Sequence, residues 1–435
     1  MNIYQIKGYN YIACDNELEF YNKYSSLLNE GYDPIKIIHL SVLLSKNNEK
    51  ILLSYENLDV NDPMNSLINL VDNKEEYKIK KPGIIGVINS IKHHFNNNIR
   101  LDDQDEIVYN KLFDTNYDNV VLLVLDGLGS NVLEKNLGSD AFLSKNKLFD
   151  IEAPFPSTTA AALTTIKTGL LPIETGWTGW QNYIKELNKN IILFTGVDYY
   201  TEEPTMVTGY DKLPFKYFYD DLGVNAFSIE PDFKNSLGDI NEVLNRSKKL
   251  LKKHNKQIQY VYWTEPDGIM HEYGTYSNEA KLVLQEIDKK LISYKNSLPS
   301  NTLLIITADH GHIPVNPIRL YLCEGLMNTL ERKPQNDTRC AAFKIKDGMR
   351  QEFDKYFKLF EDVYTIISKE DAYLYMGYKY SNKVNERIDD FIGDVMAITN
   401  KNYYFMFKPD DFVMKSHHAG NSFEEMIVPL IVFRS

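Results

Sequence analysis

The most regular pattern in this chain is a series of short, mostly apolar runs with polar side chains close beside each of them. Runs of this length, bounded by turn-forming residues, predict strands that are buried on both faces of a sheet. The runs lie at residues 120–125, 258–263, 303–306 and 426–432. Helical periodicity is found at residues 160–167, 240–254 and 278–291. Strands that alternate with helices predict an α/β protein, a three-layer α/β/α sandwich with a mostly parallel central sheet.

The organisation of the chain follows from where this pattern begins and where it is interrupted. Residues 1–105 are predicted to form a mixed α/β region of unknown role, and residues 106–435 one large α/β domain. The stretch between His310 and His418 is too long for a loop and predicts an inserted cap subdomain. We predict that the insert spans about 315–410 and contains helices near 349–360 and 385–398. The charged stretch at 72–81 is predicted to be a loop or linker.

Carboxylates and imidazoles stand at the ends of the predicted strands. Asp126 ends the first apolar run, Asp267 and His271 follow the second, and Asp309-His310 follows the third. His418 lies just before the last run. Ligands of open α/β sheets gather beyond the carboxyl ends of the strands, and these side chain types suit zinc or manganese. These candidate ligands are more than one tetrahedral ion can bind, and their number fits two ions.

The segment Ser157-Thr158-Thr159-Ala160 has the composition of a helix start, with hydroxyl residues before alanines. One interpretation is a plain helix cap. The other is a nucleophile, because the free N–H groups and the dipole of a helix N-terminus favour anions. The segment alone leaves both open.

Three further histidines are not predicted to be metal ligands. His93 and His94 are neighbours on a predicted helix and therefore point in different directions. His312 is predicted to have a structural role or to support a ligand, because no pattern assigns it one of its own.

As a set, the motifs resemble the alkaline phosphatase superfamily, nearest its phosphodiesterase and nucleotide pyrophosphatase branch. The resemblance covers roughly residues 115–435 without the inserts, and residues 1–105 show none. The matching stretches are Val121–Gly127, Phe155–Thr159 with Thr168-Gly169 and Pro172, Glu265–His271 with Gly274, Thr307–Gly311, and His418–Gly420 with Glu425–Pro429.

The resemblance implies an alkaline phosphatase-like fold and two divalent metal ions, with zinc favoured over manganese. One ion would be held by Asp126, Thr159, Asp309 and His310, and the other by Asp267, His271 and His418. The family's nucleophile lies three residues after the proline and nine before the Thr-Gly threonine, which selects Thr159 over Thr158. The implied reaction is phosphoryl hydrolysis through a phospho-threonine intermediate, most simply of a phosphodiester or nucleotide.

Two departures from the family pattern concern the substrate. Thr175 stands where the branch has a histidine, and Trp180 stands near the place of a phosphate-binding asparagine. Gln181 or Asn182 would take over that contact, or Trp177 and Trp180 would form an aromatic wall or pack in the interior. A phosphomonoesterase and a phosphonate hydrolase of the same fold remain alternatives, as does a non-catalytic metal-binding scaffold.

Composition narrows the class of partner. The 435 residues carry a formal net charge of -12, which argues against stable nucleic-acid binding. There is no apolar leader and no run long enough for a membrane span, so a soluble, cytoplasmic protein is expected. The expected partner is a small phosphate ester, and oligomeric state is not predicted.

Overall fold

The computed structural model describes residues 1–38, 40–68, 80, 83–231, 239–381 and 383–435. The predicted linker at 72–81 lies outside the described residues except for Lys80. By contact, the chain divides into two compact units. Unit 1 comprises Met1–Glu76, Pro317–Ala372 and Ile392–Val413, and unit 2 comprises Tyr77–Asn316, Tyr373–Phe391 and Met414–Ser435.

The strands are β1 Asn2–Ile6, β2 Tyr9–Ala13, β3 Asp33–Ile38, β4 Ser41–Lys46, β5 Glu49–Ser54, β6 Asn119–Leu125, β7 Lys147–Glu152, β8 Gln181–Ile184, β9 Lys189–Ile192, β10 Asn225–Ile229, β11 Gln257–Trp263, β12 Thr302–Thr307, β13 Ile313–Pro314, β14 Asn316–Arg319, β15 Gln335–Asp337, β16 Cys340–Phe343, β17 Thr365–Ile367, β18 Val395–Ile398, β19 Tyr403–Met406, β20 Ser416–His417 and β21 Ile427–Arg434. The α-helices are α1 Glu17–Asn29, α2 Pro63–Ile68, α3 Gly83–Phe95, α4 Asp103–Leu112, α5 Ser130–Asn136, α6 Phe142–Lys145, α7 Thr159–Thr168, α8 Pro172–Thr175, α9 Gly209–Lys212, α10 Asn241–Lys253, α11 Asp267–Tyr273, α12 Asn278–Lys295, α13 Glu324–Met327, α14 Arg350–Phe357, α15 Lys369–Tyr375, α16 Ile388–Ile392 and α17 Phe423–Met426.

The main sheet of unit 2 has the strand order β10-β11-β6-β12-β21-β7. Its strands β10, β11, β6 and β12 are parallel, whereas β21 runs antiparallel to both of its neighbours. Every residue of β6, β11 and β12 is buried, as expected for strands that are covered on both faces. The predicted mostly parallel sheet is confirmed.

Two groups of contacting helices belong to unit 2. Helices α5, α6 and α12 contact one another and α10 contacts α12, whereas α3 contacts α4 and α7, and α7 contacts α8. In α12, Ser277 accepts a hydrogen bond from the Ala280 amide at 3.1 Å, and the apolar residues beyond it share one buried face. No helix within the described ranges is long and apolar enough to cross a membrane.

Unit 1 contains more than one sheet. Strands β1 to β5 form one in the order β1-β2-β5-β4-β3, and helix α1 packs against it. The segment after Pro317 contributes a second, antiparallel arrangement in which β18 pairs with both β16 and β17. Residues 1–76 therefore share a compact unit with the larger part of the predicted insert. The domain bounds predicted from sequence, at 105 and at about 315–410, stay a prediction.

The predicted insert helix at 349–360 is present as α14, but the one at 385–398 is wrong. Only Ile388–Ile392 is helical. Gly393 then adopts a positive φ of 63°, which ends the helix, and Val395–Ile398 is a fully buried strand. The run of apolar residues has no marker that separates a buried strand from a helix, and its two strand partners come from distant parts of the chain.

Strand β6 allows a direct test of how much core packing contributes to the free energy of unfolding. Leu122 on β6 is 1% exposed, and Leu282 on α12 is 64% exposed. Leu122→Ala should lower the free energy of unfolding by about 2–5 kcal/mol, because it leaves a cavity in a closed core. Leu282→Ala is the matched control and should change it by less than about 0.5 kcal/mol. Calorimetric unfolding of both variants measures this, and equal effects would contradict the assignment of β6 to the core.

Candidate active site

Three aspartates meet at one edge of the main sheet because neighbouring parallel strands end there. Asp126 follows β6, Asp267 begins α11 shortly after β11, and Asp309 follows β12. Backbone bonds fix the alignment. The Asp126 amide donates to the Trp263 carbonyl at 2.9 Å, and the Asp267 amide donates to the Asp126 carbonyl at 3.1 Å. The Gly127 amide donates to Asp309 Oδ1 at 3.1 Å, so the turn after β6 also holds the carboxylate after β12.

The first cluster, here the Asp126 group, consists of Asp126, Thr159, Asp309 and His310. His310 Nε2 lies 3.4 Å from Asp126 Oδ1, 3.4 Å from Asp309 Oδ2 and 3.1 Å from Thr159 Oγ1. Both of those carboxylate oxygens are buried and have no hydrogen-bond partner within the described residues. All four residues of the set implied by the sequence resemblance are thus brought together.

The second cluster, here the Asp267 group, consists of Asp267, His271, His312 and His418. These side chains offer ligand atoms that all lie within 4.8 Å of one another. Asp267 and His271 share a face of α11, as predicted, with Nε2 of the histidine 3.3 Å from Oδ2 of the aspartate. Asp126, Asp267 and His310 also offer ligand atoms within 4.8 Å of one another, so the two groups adjoin.

The predicted histidine ligands are oriented by the backbone. In each, Nδ1–H donates to a carbonyl oxygen, which leaves the lone pair of Nε2 for the cluster. The bonds are His271 to Ser416 at 2.9 Å, His310 to Gly311 at 3.0 Å and His418 to Ser157 at 3.0 Å. A fixed tautomer of this kind is what histidine ligands of metal ions require.

Thr158 and Thr159 differ in accessibility. Thr158 occupies the N-cap of α7 and is 0% exposed, whereas Thr159 is the first helical residue and is partly exposed. Gly169, with φ of 70°, ends the helix in the left-handed conformation. The Thr159 hydroxyl therefore stands at a helix N-terminus, where the dipole favours an anion, and it is the threonine that a substrate can reach.

The carboxylates have strongly perturbed acidities. Burial, together with the negative charges of Asp309 and Asp267, raises the pKa of Asp126 well above its ordinary range. Burial likewise raises the pKa of Asp309. Burial alone would raise the pKa of Asp267 as well, but charges and hydrogen bonds of the surrounding histidines hold it well below its ordinary range. Three carboxylates so close together favour the binding of cations.

Burial also shifts the pKa values of Glu265 and His312. The pKa of Glu265, just before the Pro266-Asp267 pair, is raised to about 7. The pKa of His312 is lowered to about 4, so this imidazole is neutral at physiological pH.

The residues predicted to contact substrate have distinct environments. Trp180 is 40% exposed, whereas Gln181 and Asn182 are buried. Asn182 Nδ2 donates to Thr178 Oγ1 at 3.0 Å and to the Gly176 carbonyl at 3.3 Å, which anchors it to its own loop. Both polar atoms of the Gln181 side chain lack a hydrogen-bond partner among the described residues. Substrate contact by these three stays a prediction.

Trp177 belongs to the interior and not to an aromatic wall. It is 0% exposed, its Nε1–H donates to the Leu213 carbonyl at 3.0 Å, and it packs in a cluster with Ile184, Ile191 and Leu193. Of the two alternatives left open by the sequence, packing is therefore the correct one for this tryptophan.

The structure adds Tyr262, which sequence reasoning did not place in the site and whose hydroxyl donates to Asp126 Oδ2. Tyr262 lies within the run at residues 258–263, and such a run predicts only a buried strand. His312, predicted to have a structural role or to support a ligand, joins the Asp267 group. His93 and His94 instead bond the carbonyls of Ile99 and Tyr117, at 2.6 and 2.7 Å.

Residues 120–421 match the type I phosphodiesterase / nucleotide pyrophosphatase family. The chain belongs to this family. Among curated relatives, human ectonucleotide pyrophosphatase/phosphodiesterase family member 5 is 28% identical over 180 residues, 38% of this chain. The match spans 34% of that relative's length, about a third. The resemblance inferred from the motifs is confirmed at the level of the family, which is an enzyme family.

Solved structures agree with the fold. Murine ectonucleotide pyrophosphatase / phosphodiesterase 5 superposes with a TM-score of 0.56 at 18% identity, over 73% of this chain and 88% of that one. An inactive variant of the murine protein in complex with AMP gives 0.54 at 17% identity, over 72% and 87%. At this identity the likeness shows the shared architecture, and the predicted alkaline phosphatase-like fold is confirmed.

Glu265 generates a prediction about pH. Its raised pKa means that the folded state binds the proton more tightly than the unfolded state, so its contribution to stability is full below pH 4.5 and is lost as the pH rises to about 7. In metal-free protein, Glu265→Gln should remove a pH dependence on the order of 3 kcal/mol across this window. Unfolding at both pH values measures it, with exposed Glu279→Gln as control. An unchanged pH dependence in Glu265→Gln would contradict the shift.

Proposed function

We propose that this chain is a metal-dependent phosphodiesterase of the nucleotide pyrophosphatase type, with Thr159 as its nucleophile. The observation that carries the proposal is the position of the Thr159 hydroxyl. It is partly exposed at the N-terminus of α7 and lies 3.1 Å from His310 Nε2, within the Asp126 group. A binding scaffold has no need of a reachable hydroxyl at this point.

The donor atoms fit two divalent ions. Asp126 Oδ1 and Asp309 Oδ2 are buried without hydrogen-bond partners among the described residues, a costly arrangement that a bound cation relieves. Carboxylate and imidazole donors suit zinc, or manganese as the second choice. The proposed sets are Asp126, Thr159, Asp309 and His310 for one ion, and Asp267, His271 and His418 for the other.

The reaction would proceed in two displacements at phosphorus. When bound, the ions would lower the pKa of the Thr159 hydroxyl and balance the charge on the phosphoryl oxygens. Thr159 Oγ1 forms a bond to phosphorus as the bond to the leaving oxygen breaks, which gives a phospho-threonine. The free amides and dipole at the start of α7 stabilise the phosphoryl oxygens. Water then attacks phosphorus and releases the threonine.

A diester is the favoured substrate class. The side chains gathered around Thr159 are carboxylates and imidazoles. They suit the single negative charge of a phosphodiester better than the higher negative charge of a phosphomonoester or a phosphonate. The murine neighbour's complex with AMP supports a nucleotide as the esterified group. Trp180, with 40% of its surface exposed, would offer an apolar face, and Gln181 and Asn182 are the proposed polar contacts.

The choice of threonine is tested by paired variants. Thr159→Ala should lower turnover of an aryl phosphodiester about a thousandfold or more, because it removes the attacking oxygen. Thr158→Ala should retain most of the turnover while lowering Tm, because the Thr158 side chain is fully buried and its truncation leaves a cavity. Steady-state kinetics and thermal unfolding measure both, and loss of turnover in Thr158→Ala alone would overturn the assignment.

The dependence of turnover on bound metal can be tested without knowing which residues contact the substrate. The purified chain should hold about two zinc or manganese ions, and chelation should abolish turnover until about two equivalents are restored. Asp309→Ala and Asp267→Ala should each reduce the bound ions to about one. Elemental analysis provides the count. Full diester turnover in metal-free protein would refute the proposal, and metal binding without turnover of a diester, monoester or phosphonate would indicate a scaffold.

A further inference from the structure

His312 is the buried group near the site for which the reaction above has no use. It is 0% exposed, and its Nε2 lies 3.1 Å from Asp267 Oδ1. An imidazole in this place can act in two ways. It can use its lone pair as a fourth ligand beside Asp267, His271 and His418, or it can donate a proton to Asp267 and hold that carboxylate in position.

The hydrogen bonds of the four imidazoles separate these roles. His271, His310 and His418 each donate Nδ1–H to a carbonyl, so each presents a bare Nε2. The Nδ1 of His312 is buried and has no hydrogen-bond partner within the residues that the structure describes. The hydrogen bond that its ring does make is with Asp267 Oδ1, and a carboxylate only accepts, so the proton belongs on Nε2. A protonated Nε2 has no lone pair for a metal ion.

The number of ligands favours the same role. Asp267, His271 and His418 supply three protein donors, and a catalytic zinc site with three leaves its fourth position open to substrate or water. A fourth protein ligand would close the site. The two oxygens of Asp267 also have different neighbours, since Oδ2 lies 3.3 Å from His271 Nε2, while Oδ1 lies 3.1 Å from His312 Nε2 and 3.6 Å from His418 Nε2.

The backbone around His312 holds the ring in place. The residue directly precedes β13, which pairs antiparallel with β20, and β20 ends directly before His418. Asn131 Nδ2 donates to the His312 carbonyl at 2.9 Å. The same short pairing therefore sets both His312 and His418 beside Asp267.

We propose that His312 is a positioning residue, whose Nε2–H donates to Asp267 Oδ1 and so fixes the orientation in which this carboxylate binds a metal ion together with His271 and His418. The inference rests on the proposed function, because it takes those three residues as ligands. It adds a role for a histidine that binds neither metal nor substrate.

The test compares His312→Gln, which keeps an N–H donor but is a poor ligand, with His312→Leu, which has neither. Zinc affinity is measured by competition with a chromophoric chelator, and the visible spectrum of the cobalt-substituted protein reports coordination. His312→Leu should bind the ion held by Asp267, His271 and His418 about 10–100-fold less tightly. His312→Gln should recover most of that loss, with the cobalt spectrum of the unaltered protein. His93→Leu, which replaces an imidazole outside the site, is the control and should bind as the unaltered protein does.

Two results would overturn the proposal. If both variants lose affinity equally and both change the cobalt spectrum, His312 is a ligand. If both bind zinc as tightly as the unaltered protein, while Tm falls in His312→Leu, the residue is merely structural. Failure of the proposed function would look different, since the unaltered protein would then bind its ions and hydrolyse no phosphodiester, with the affinity ratios unchanged.

Discussion

The concentration of negative charge at one edge of the main sheet is the constraint on which the rest of unit 2 depends. Asp126 and Asp309 are 3% and 0% exposed, and Asp267 adjoins them. Buried carboxylates are costly unless they are hydrogen-bonded or paired with cations. Tyr262 and the Gly127 amide satisfy one oxygen of Asp126 and one of Asp309. The remaining oxygens are directed at His310, which is the arrangement that a metal centre needs.

The surrounding architecture holds these groups against one another. Three parallel strands, fully buried, end together and cannot shift without exposing a continuous apolar core. Helix α7 starts at the same place, and the Ser157 carbonyl before it accepts hydrogen bonds from both His418 and the Ala419 amide. The helix that begins at Thr159, the proposed nucleophile, and His418, a proposed ligand, are thereby joined through one backbone carbonyl, although they lie far apart in the chain.

The sequence predicted the parts of this arrangement that depend on local pattern. Apolar runs identified β6, β11 and β12, and the polar residues directly after them identified the aspartates, since a parallel sheet brings such ends together. Features that depend on pairing between distant segments were not predictable. His312 joins the site only because β13 pairs with β20, and Val395–Ile398 is a strand because β16 and β17 flank it. Neither pairing leaves a periodic signal in the chain.

Thr159 is the proposed nucleophile, and its hydroxyl lies within the Asp126 group, 3.1 Å from His310 Nε2. Rapid acid quenching during turnover of a phosphodiester, followed by mass spectrometry of the peptide that spans α7, tests this most directly. A phosphoryl group should appear transiently on Thr159 and disappear once the substrate is consumed. Turnover with no phosphorylated peptide, or with the phosphoryl group on Thr158, would contradict it.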